Sequence, residues 1–446
     1  MSIQGNDVIS PNIIYKQYSQ VAPKYKYVRI NLSNLQTSTV ALSATTSTEL
    51  QFKLPSNTVM NLSKSVLSAS LVVPAQGAGI VSAMVADCYP FGGAVSFETG
   101  NGLQILNLPY SSKFSKIVGK TSIKDDELIT RDKSSFCYPC NSLINGLVPK
   151  TNDGSDDAAV VPYLEPKYHR ISGDDESQTV LMQYALGDLR HTAFATDKDL
   201  YFEQNDMYVK LTLNGYNDWL FQDTTATNTI AALSTALGAS AFTSVYLYIA
   251  VEQNPTVIDE VVSQFNESGI KLLIDYPLTT RLTASSTTQN VVIPYVPSYG
   301  KTLRKVFHTL WNSTETLSTA LDCDNTAHTR VVSYNTYLDS TKLQDDLVAT
   351  ATNDAWRLNM DICKKSAVLN KAVYDRNFFH CDSFENEDMN KDNKLLPREN
   401  VVAGLSMDKG LQYQYTATTE DTSLVHLNFA IFTREVLINR NGVQFT

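Results

Sequence analysis

The stretch that decides the fold runs from Gln178 to Phe221, QTVLMQYALGDLRHTAFATDKDLYFEQNDMYVKLTLNGYNDWLF. In its second half, apolar and polar side chains alternate from Met207 to Asn214. An apolar residue at every second position is the period of a strand that buries one face. The Leu186-Gly187-Asp188 turn and a compact connector through Lys198-Asp199 precede this strand. A Thr/Ala-rich segment follows, so we expect the stretch to hold the last strand of one sheet domain before a second domain begins.

Short segments with strand character occur on both sides of this stretch. Before it, Glu49–Leu54 and Leu62–Val73 alternate and are followed by proline or glycine turns. After it, Val245–Val251 is apolar on both faces, and Leu424–Ile431 predicts a buried closing strand. The segment Pro255–Phe265, which has proline at its start, predicts a helix. Many short strands between turn residues are typical of a sandwich or barrel, so the sequence predicts an all-β fold with a few short helices.

Three further segments have weaker patterns. Lys150–Glu176 is rich in Asp, Gly, Ser and Pro with hardly any apolar period, which predicts an exposed insertion loop. Residues 222–241 are small and nearly uncharged, which predicts a linker or loop. Leu338–Val348 is predicted to be helical.

Length and charge limit the class of protein. A chain of 446 residues allows two β-sandwich domains of about 200 to 250 residues each. With 36 Lys and Arg against 46 Asp and Glu, the net charge is −10, which argues against a general nucleic-acid-coating surface. The first 30 residues are locally basic, with a net charge of +3 from Lys16, Lys24, Lys26 and Arg29 against Asp7. We expect an extended N-terminal arm that is either solvated or in contact with an anionic partner.

The cysteines and the first residues predict the compartment of synthesis. Six scattered cysteines are too few for a disulfide-dense secreted scaffold, so reduced thiols are expected. The first residues, MSIQGNDVISPN, lack the apolar core of a signal peptide. We therefore expect synthesis in a cytosol.

Short motifs that suggest nucleotide or metal chemistry are incomplete. The Gly-Lys-Thr triplets that begin at Gly119 and Gly300 lack the upstream glycine of a phosphate loop, where Phe114 and Tyr295 stand instead. Cys137-Tyr138-Pro139-Cys140 has the spacing of a redox or zinc site, but no second soft ligand pair accompanies it. These motifs predict no bound cofactor and no metal.

Candidate catalytic groups are equally weak. His380-Cys381-Asp382 places reactive side chains next to one another, whereas a nucleophile and its base usually come from separated positions, so a turn with a partly buried cysteine is expected. Asn386–Asp392 has alternating oxygen ligands but no sharp-turn glycine and contains Lys391, which favours a solvated charged loop over a calcium site. The carboxylate pair Asp345-Asp346 cannot be tested for glycosidase geometry from sequence. We assign no catalytic, cofactor-binding or metal-binding residues and expect a protein that is not an enzyme.

With these segments in order, the chain resembles the double jelly-roll major capsid proteins of icosahedral double-stranded DNA viruses. That lineage includes tailless membrane-containing phages, adenovirus hexon, virophages and polinton-like viruses. The stretches that resemble the close of a first jelly roll are Ala185–Leu189, Asp197–Phe202 and Tyr208–Leu213. Those that resemble the opening strand and following helix of a second roll are Val245–Glu252 and Ile258–Ile274. Those that resemble its late loop and strand are Lys364–Ala367, Tyr374–Phe379 and Asp382–Phe384.

The resemblance implies two tandem eight-stranded jelly-roll sandwiches and a structural role. The expected division is an N-terminal arm at 1–30, a first roll at 31–221, a linker at 222–241 and a second roll at 242–446. Three chains would form a homotrimer with a pseudo-hexagonal outline, which tiles an icosahedral virion shell. Expected partners are other copies of the chain, neighbouring capsomers, and penton and minor capsid proteins, with no sequence-specific nucleic acid. The basic arm is expected to face inward, towards an internal membrane or neighbouring subunits.

Two other functions fit the composition. Ser/Thr/Asn-rich strands with exposed tyrosines suit a carbohydrate-binding adhesin or lectin, although the missing signal peptide and the reduced cysteines argue against it. A β-sandwich glycoside hydrolase would require two facing carboxylates in a cleft.

Overall fold

The computed structural model describes most of the strands and leaves several connections undescribed. The described residues are 23–74, 80–85, 92–122, 168–172, 178–216, 220–224, 230–231, 240–283, 286–294, 302–312, 331–339, 341–344, 348–349, 353–364, 366, 369, 371, 374, 379–384, 404–407, 412–419 and 424–445. The predicted sites at Cys137–Cys140, Asp345-Asp346 and Asn386–Asp392 lie outside these residues, as do residues 1–22 of the predicted arm.

Two antiparallel sheets form the first sandwich. Sheet 1 has the order β1-β14-β4-β10, with β2 on β14 and β9 on β4. Its strands are β1 (Tyr25–Ile30), β2 (Val40–Ala41), β4 (Met60–Val73), β9 (Gln178–Ala185), β10 (Asp199–Leu200) and β14 (Ala241–Glu252). Sheet 2 has the order β3-β11-β6-β7. Its strands are β3 (Thr48–Lys53), β6 (Ala94–Thr99), β7 (Gln104–Pro109) and β11 (Met207–Leu213).

A third, smaller sheet lies in the same half of the chain. Sheet 3 has the order β13-β12-β5-β8. Its strands are β5 (Ile80–Val85), β8 (Tyr168–Ser172), β12 (Leu220–Thr224) and β13 (Ile230–Ala231). Two of these strands fall in segments that the sequence predicted to be loops, 150–176 and 222–241, so those predictions were wrong where β8 and β13 lie. β8 pairs with β5 and β13 pairs with β12, both antiparallel. The backbone hydrogen bonds of these pairs hold the two strands in place, although neither segment has an apolar period that would predict a strand.

Two more antiparallel sheets form the second sandwich. Sheet 4 has the order β15-β24-β17-β21, with β22 on β17 and β25 on β24. Its strands are β15 (Ile270–Thr283), β17 (Thr302–Asn312), β21 (Phe379–Ser383), β22 (Leu405–Ser406), β24 (Leu424–Asn439) and β25 (Gly442–Phe445). Sheet 5 has the order β16-β23-β18-β19, with β20 on β18. Its strands are β16 (Thr288–Pro294), β18 (Val331–Leu338), β19 (Thr341–Lys342), β20 (Val348–Ala349) and β23 (Gln412–Thr419).

Short helices connect the strands. Helix α1 (Ser111–Phe114) continues as a π-helical turn at Ser115–Gly119 and a 3₁₀ turn at Lys120–Ser122. Further 3₁₀ turns lie at Leu186–Asp188 and Ala193–Ala195. Helix α2 (Pro255–Glu267) begins after Asn254, whose side chain accepts a hydrogen bond from the Thr256 amide, as expected of an N-cap. Helix α3 is Asp354–Cys363. Among the described residues, no helix is long and apolar enough to span a membrane.

The alternation predicted around Met207–Leu213 is confirmed, because the side chains of β11 alternate strictly between buried and half-buried. Its predicted place as the closing strand was wrong. β14 comes later in the chain and pairs with β4 and β1 of sheet 1. Val245–Glu252, predicted to open the second roll, therefore belongs to the first sandwich, and Tyr25–Ile30 of the predicted arm is also one of its strands. These pairings join residues about 200 positions apart, which local alternation cannot indicate.

Two local predictions in the second half were also wrong. Leu338–Val348 is not helical where it is described: β18 ends at Leu338 and β19 pairs back on it. The helix of this region is α3, which buries Ala355, Asn359 and Ile362 on one face. The predicted helix near Pro255 and the buried strand at Leu424 are confirmed by α2 and by β24, in which every residue from Leu424 to Phe432 is buried. The all-β prediction is confirmed.

Candidate functional site

The seam between the two sandwiches is built from side chains of both halves of the chain. Its apolar part joins helix α1 to the outward face of sheet 4. The ring of Phe114 meets that of Phe429 edge-on, with centroids 5.2 Å apart. Next to it, the Lys113 ammonium lies 3.8 Å from the centre of the Trp311 ring. Buried aromatic pairs and cation–π contacts of this kind stabilise an interface beyond the area they cover.

A chain of polar side chains crosses the same seam. The Ser122 hydroxyl lies 3.1 Å from Nε2 of His191, and Nδ1 of His191 lies 3.1 Å from Oδ2 of Asp275. The other carboxylate oxygen of Asp275 binds the guanidinium of Arg304. Ser122 and His191 come from the first sandwich, and Asp275 and Arg304 come from the second. The two halves are therefore joined by charge-assisted hydrogen bonds as well as by apolar contact.

The electrostatics of this relay follow from its burial. Burial by itself would raise the pKa of Asp275, but the charge of Arg304 and the hydrogen bond with His191 outweigh it and hold that pKa below its ordinary value. Burial lowers the pKa of His191, and the hydrogen bond to Asp275 opposes this only in part. The order of atoms is that of a serine–histidine–aspartate relay. Because Arg304 already neutralises Asp275, and the hydrogen bonds bridge two sandwiches, we assign the relay to joining them rather than to catalysis.

Arg434 adds a third kind of contact to the seam. Its Nη1 atom donates to the backbone carbonyl oxygens of Gln104 and Ile105, both at 3.3 Å. Its guanidinium carbon lies 3.2 Å from the centre of the Phe445 ring. Burial lowers the pKa of Arg434 to about 10, so the side chain stays charged near neutral pH.

The interior of the second sandwich is polar at its centre. His308 and Asn428 are paired on neighbouring strands of sheet 4, and Oδ1 of Asn428 lies 2.6 Å from Nδ1 of His308. The opposite sheet contributes Tyr413, whose hydroxyl lies 2.8 Å from Nε2 of His308 and donates to Asp382 at 2.6 Å. His380 lies 3.1 Å from the other oxygen of Asp382. We call His308, His380, Asp382, Tyr413 and Asn428, together with the nearby His426, the polar layer.

Burial determines the protonation of the polar layer. All three histidines are almost completely inaccessible. Burial and the neighbouring His380 lower the pKa of His308 to about 3, and burial lowers that of His426 to about 4. Burial would raise the pKa of Asp382, but His380 and the hydrogen bond from Tyr413 hold it below its ordinary value. His308 and His426 are therefore neutral near neutral pH.

The structure explains the sequence motifs that it describes. His380-Cys381-Asp382 is a strand rather than the predicted turn. His380 and Asp382 belong to the polar layer, and Cys381 is a buried thiol. At the first Gly-Lys-Thr triplet, the Thr121 hydroxyl donates to the Val118 carbonyl oxygen at 2.7 Å, which is a local helical contact. Among the described residues, no group of three His, Cys, Asp or Glu side chains is placed to hold a metal ion.

Sequence reasoning missed the seam and the polar layer. One signal was visible: His426 and Asn428 alternate with apolar residues in the strand Leu424–Ile431, where an inward-facing polar pair calls for a partner. The partners on β17, β21 and β23 are distant in the chain and could not be read from it.

Comparison with solved structures decides the fold. The chain superposes on the Faustovirus major capsid protein with a TM-score of 0.54 at 10% identity, covering 98% of this chain and 93% of that one. This chain has the double jelly-roll fold. The PBCV-1 virus capsid gives 0.52 at 9% identity over 96% and 98% of the two chains. The Sputnik virophage structure gives 0.51 at 8% identity over 96% and 90%. No family model matches the sequence, and no curated protein matches it.

The double jelly-roll fold confirms the resemblance that the sequence stretches indicated. Because sequence identity to these structures is 10% or less, the likeness rests on topology. It covers at least 90% of both chains in each comparison. The seam and the polar layer are thus features of the two rolls: the seam joins roll 1, built on sheets 1 and 2, to roll 2, built on sheets 4 and 5.

Proposed function

We propose that this double jelly-roll protein is a viral major capsid protein, a structural component of the virion rather than an enzyme. The observation that carries the proposal is the whole-length match to the Faustovirus major capsid protein and the PBCV-1 virus capsid. The seam supports it. A shell subunit must hold its two rolls in one fixed geometry, and Phe114–Phe429 with the Asp275 relay supplies that rigidity.

The proposal extends to assembly. Three chains form a homotrimer of six rolls with a pseudo-hexagonal outline, and such capsomers tile an icosahedral shell of a double-stranded DNA virus. Neighbouring capsomers, penton proteins and minor capsid proteins are its contacts, and synthesis takes place in the host cytosol. The N-terminal end of the chain faces inward, towards an internal membrane or neighbouring subunits, because residues 1–30, which include Lys26 and Arg29 of β1, carry a net charge of +3 in a chain that is negative as a whole.

We also propose a revised division of the chain. Sheet 1 includes both β1 and β14, so roll 1 extends from Tyr25 to Glu252. Helix α2 then connects to roll 2, which extends from Ile270 to Phe445. Residues 222–241, predicted as a linker, lie inside roll 1 in this division.

The test is the mass and shape of the purified full-length chain. Light scattering after size exclusion should give three times the 49.4 kDa chain mass, and negative-stain images should show hexagonal particles that form sheets or shells. A monomer at all concentrations would contradict the proposal. Deleting residues 1–22 should leave the trimer mass unchanged and reduce shell formation, whereas normal shells from that deletion would contradict the inward-facing arm.

A further inference from the structure

The Tyr413 hydroxyl has one hydrogen and two close neighbours in the polar layer. It lies 2.6 Å from Oδ2 of Asp382 and 2.8 Å from Nε2 of His308. Because the pKa of Asp382 is held below its ordinary value, its carboxylate is ionised near neutral pH and can only accept hydrogen bonds. The hydroxyl therefore gives its single hydrogen to Asp382. Nε2 of His308 must then carry a hydrogen of its own and donate it to the Tyr413 oxygen.

This hydrogen on Nε2 determines what the other ring nitrogen of His308 needs. Burial holds the pKa of His308 at about 3, so the ring is neutral near neutral pH, and a neutral imidazole carries only one ring N–H. Nδ1 is then an acceptor. Oδ1 of Asn428, which faces it at 2.6 Å, is an acceptor too. An amide can present its oxygen or its nitrogen in the same place, and the available hydrogens decide which, so the Asn428 nitrogen belongs next to Nδ1.

A second, independent observation points to the same orientation of the amide. With Oδ1 towards His308, Nδ2 of Asn428 is a fully buried donor that has no hydrogen-bond partner among the described residues. Turning the amide gives this donor the lone pair of Nδ1. The oxygen that takes its place is an acceptor, and buried acceptors are left under-satisfied more often than buried N–H groups. One rotation thus removes both an acceptor–acceptor contact and an unpaired donor.

The other titratable groups that face His308 supply no alternative donor to Nδ1 in the described part of the chain. His380 on β21 and Tyr415 on β23 present the faces of their rings, stacked on His308 with centroids 6.1 Å and 3.8 Å away. Nε2 of His380 is engaged with Asp382. His426, two residues before Asn428 on β24, has an Nε2 atom without a partner among the described residues. The amide of Asn428 is therefore the donor that Nδ1 requires.

We propose that Asn428 is a lock on the protonation of His308: its amide presents Nδ2 to the ring and holds the imidazole neutral, with its hydrogen on Nε2. The hydrogen bonds then run in one direction, from Asn428 on β24 through His308 on β17 and Tyr413 on β23 to Asp382 on β21. A second hydrogen on the ring would meet the amide hydrogens, so His308 gains a proton only if the amide turns round. The acid response of roll 2 is thus set by an amide as well as by its histidines.

Magic-angle-spinning NMR of the sedimented full-length protein, with nitrogen-15 in histidine and asparagine side chains, tests the lock directly. At pH 7.5, His308 should show a protonated Nε2 and an unprotonated Nδ1, and Nδ1 should correlate through space with the side-chain nitrogen of Asn428. The variant His308→Gln assigns the ring signals by their loss. A hydrogen on Nδ1 of His308 at this pH, in the other neutral tautomer or in the imidazolium, would overturn the proposal.

A substitution supplies the second readout. In Asn428→Asp, an ionised carboxylate cannot donate to Nδ1, so His308 should become an imidazolium at pH 7.5, with two protonated ring nitrogens. Asn290→Asp is the matched control, because it adds the same charge to an exposed side chain of sheet 5 and should leave the His308 signals unchanged. A neutral His308 in the folded Asn428→Asp variant would overturn the lock. If that variant does not fold, the tautomer of His308 in the unmodified protein decides.

Discussion

Nε2 of His308 lies 2.8 Å from the hydroxyl oxygen of Tyr413, and this contact joins the two sheets of roll 2 through their interior. The Tyr413 hydroxyl donates a hydrogen bond to Asp382. The ring of His308 is also stacked on that of Tyr415, with centroids 3.8 Å apart. A sandwich interior is usually filled by apolar side chains, so this polar layer makes the stability of roll 2 depend on protonation.

We expect the free energy of unfolding to fall as the pH drops below about 6.5. The folded-state pKa values of His308 and His426, about 3 and about 4, lie below those of unfolded histidine. The unfolded chain therefore binds more protons between these limits. Stability is complete above pH 6.5 and is lost towards pH 4, by up to about 3 kcal/mol for each histidine. Denaturant unfolding of the whole protein between pH 7.5 and pH 4 measures this slope.

The double variant His308→Asn with His426→Asn is the control for that slope. Asparagine keeps a polar side chain but does not titrate, so the profile between pH 6.5 and pH 4 should become less steep, and His191, whose pKa is also lowered by burial, accounts for part of the slope that remains. Below pH 4, the lowered pKa of Asp382 causes a further loss in both proteins, because the carboxylate is protonated more readily in the unfolded chain. Equal slopes for the two proteins above pH 4 would show that the polar layer does not cause the acid sensitivity.

Tyr413→Phe removes one hydroxyl from the centre of the polar layer. The change leaves Nε2 of His308 and one oxygen of Asp382 without their partner, so the free energy of unfolding should fall by about 1 to 3 kcal/mol. Tyr27→Phe removes the same atom from a side chain that is 55% exposed and should change stability by less than about 0.5 kcal/mol. Denaturant unfolding at pH 7.5 measures both, and equal effects would contradict the role of Tyr413.

Asp275→Asn tests the relay that joins the rolls. The neutral amide removes the charge that Asp275 presents to the guanidinium of Arg304, which is only 8% exposed, and about 3 kcal/mol of stability should be lost. Asp206→Asn breaks an ion pair with Lys53 in which both side chains are about half exposed, so less than about 1 kcal/mol is expected. Limited proteolysis near α2 reports separation of the rolls. A smaller loss from Asp275→Asn than from Asp206→Asn would contradict the role of the relay.

Gly187→Ala tests the close packing of the Leu186-Gly187-Asp188 turn. A Cβ atom there would lie 2.4 Å from the Ser63 carbonyl oxygen of β4, so the turn must move away from sheet 1, with a loss of about 2 kcal/mol or more. Gly119→Ala is the matched control, because its Cβ would be 3.8 Å from the nearest atom, Cβ of Ser115. That change should be neutral or stabilising. Differential scanning calorimetry compares the two, and equal melting temperatures would refute the contact.

The Met207–Leu213 strand shows what a local sequence pattern can predict and what it cannot. Its alternation predicted the strand and its buried face, because period two is a property of neighbouring residues. Its neighbours on either side are β3 and β6, which lie more than 100 residues earlier, and nothing in the strand specifies them. The same limit caused β14 to be placed in the wrong roll, since a strand that is apolar on both faces has the same pattern in either sandwich.

The candidate sites divide in a similar way. The sequence alone showed that the Gly-Lys-Thr triplets lack the upstream glycine of a phosphate loop, because that motif has a fixed local spacing. The polar layer could not be predicted from the sequence, since its members come from four strands: His308, His380, Tyr413 and Asn428. The relay at Asp275 could not be predicted either, since its side chains belong to both rolls.

The sequence by itself determined that the chain is all-β, that Gly187 lies in a turn and that α2 begins near Pro255. These are consequences of side-chain period, backbone freedom and capping, which act over a few residues. Only the tertiary structure decided that β14 closes roll 1, that Asp275 meets His191 across the seam, and that the centre of roll 2 is polar. The physical reason is that antiparallel pairing and buried hydrogen bonds depend on which distant segments meet, and the free energy of those contacts belongs to the assembled rolls.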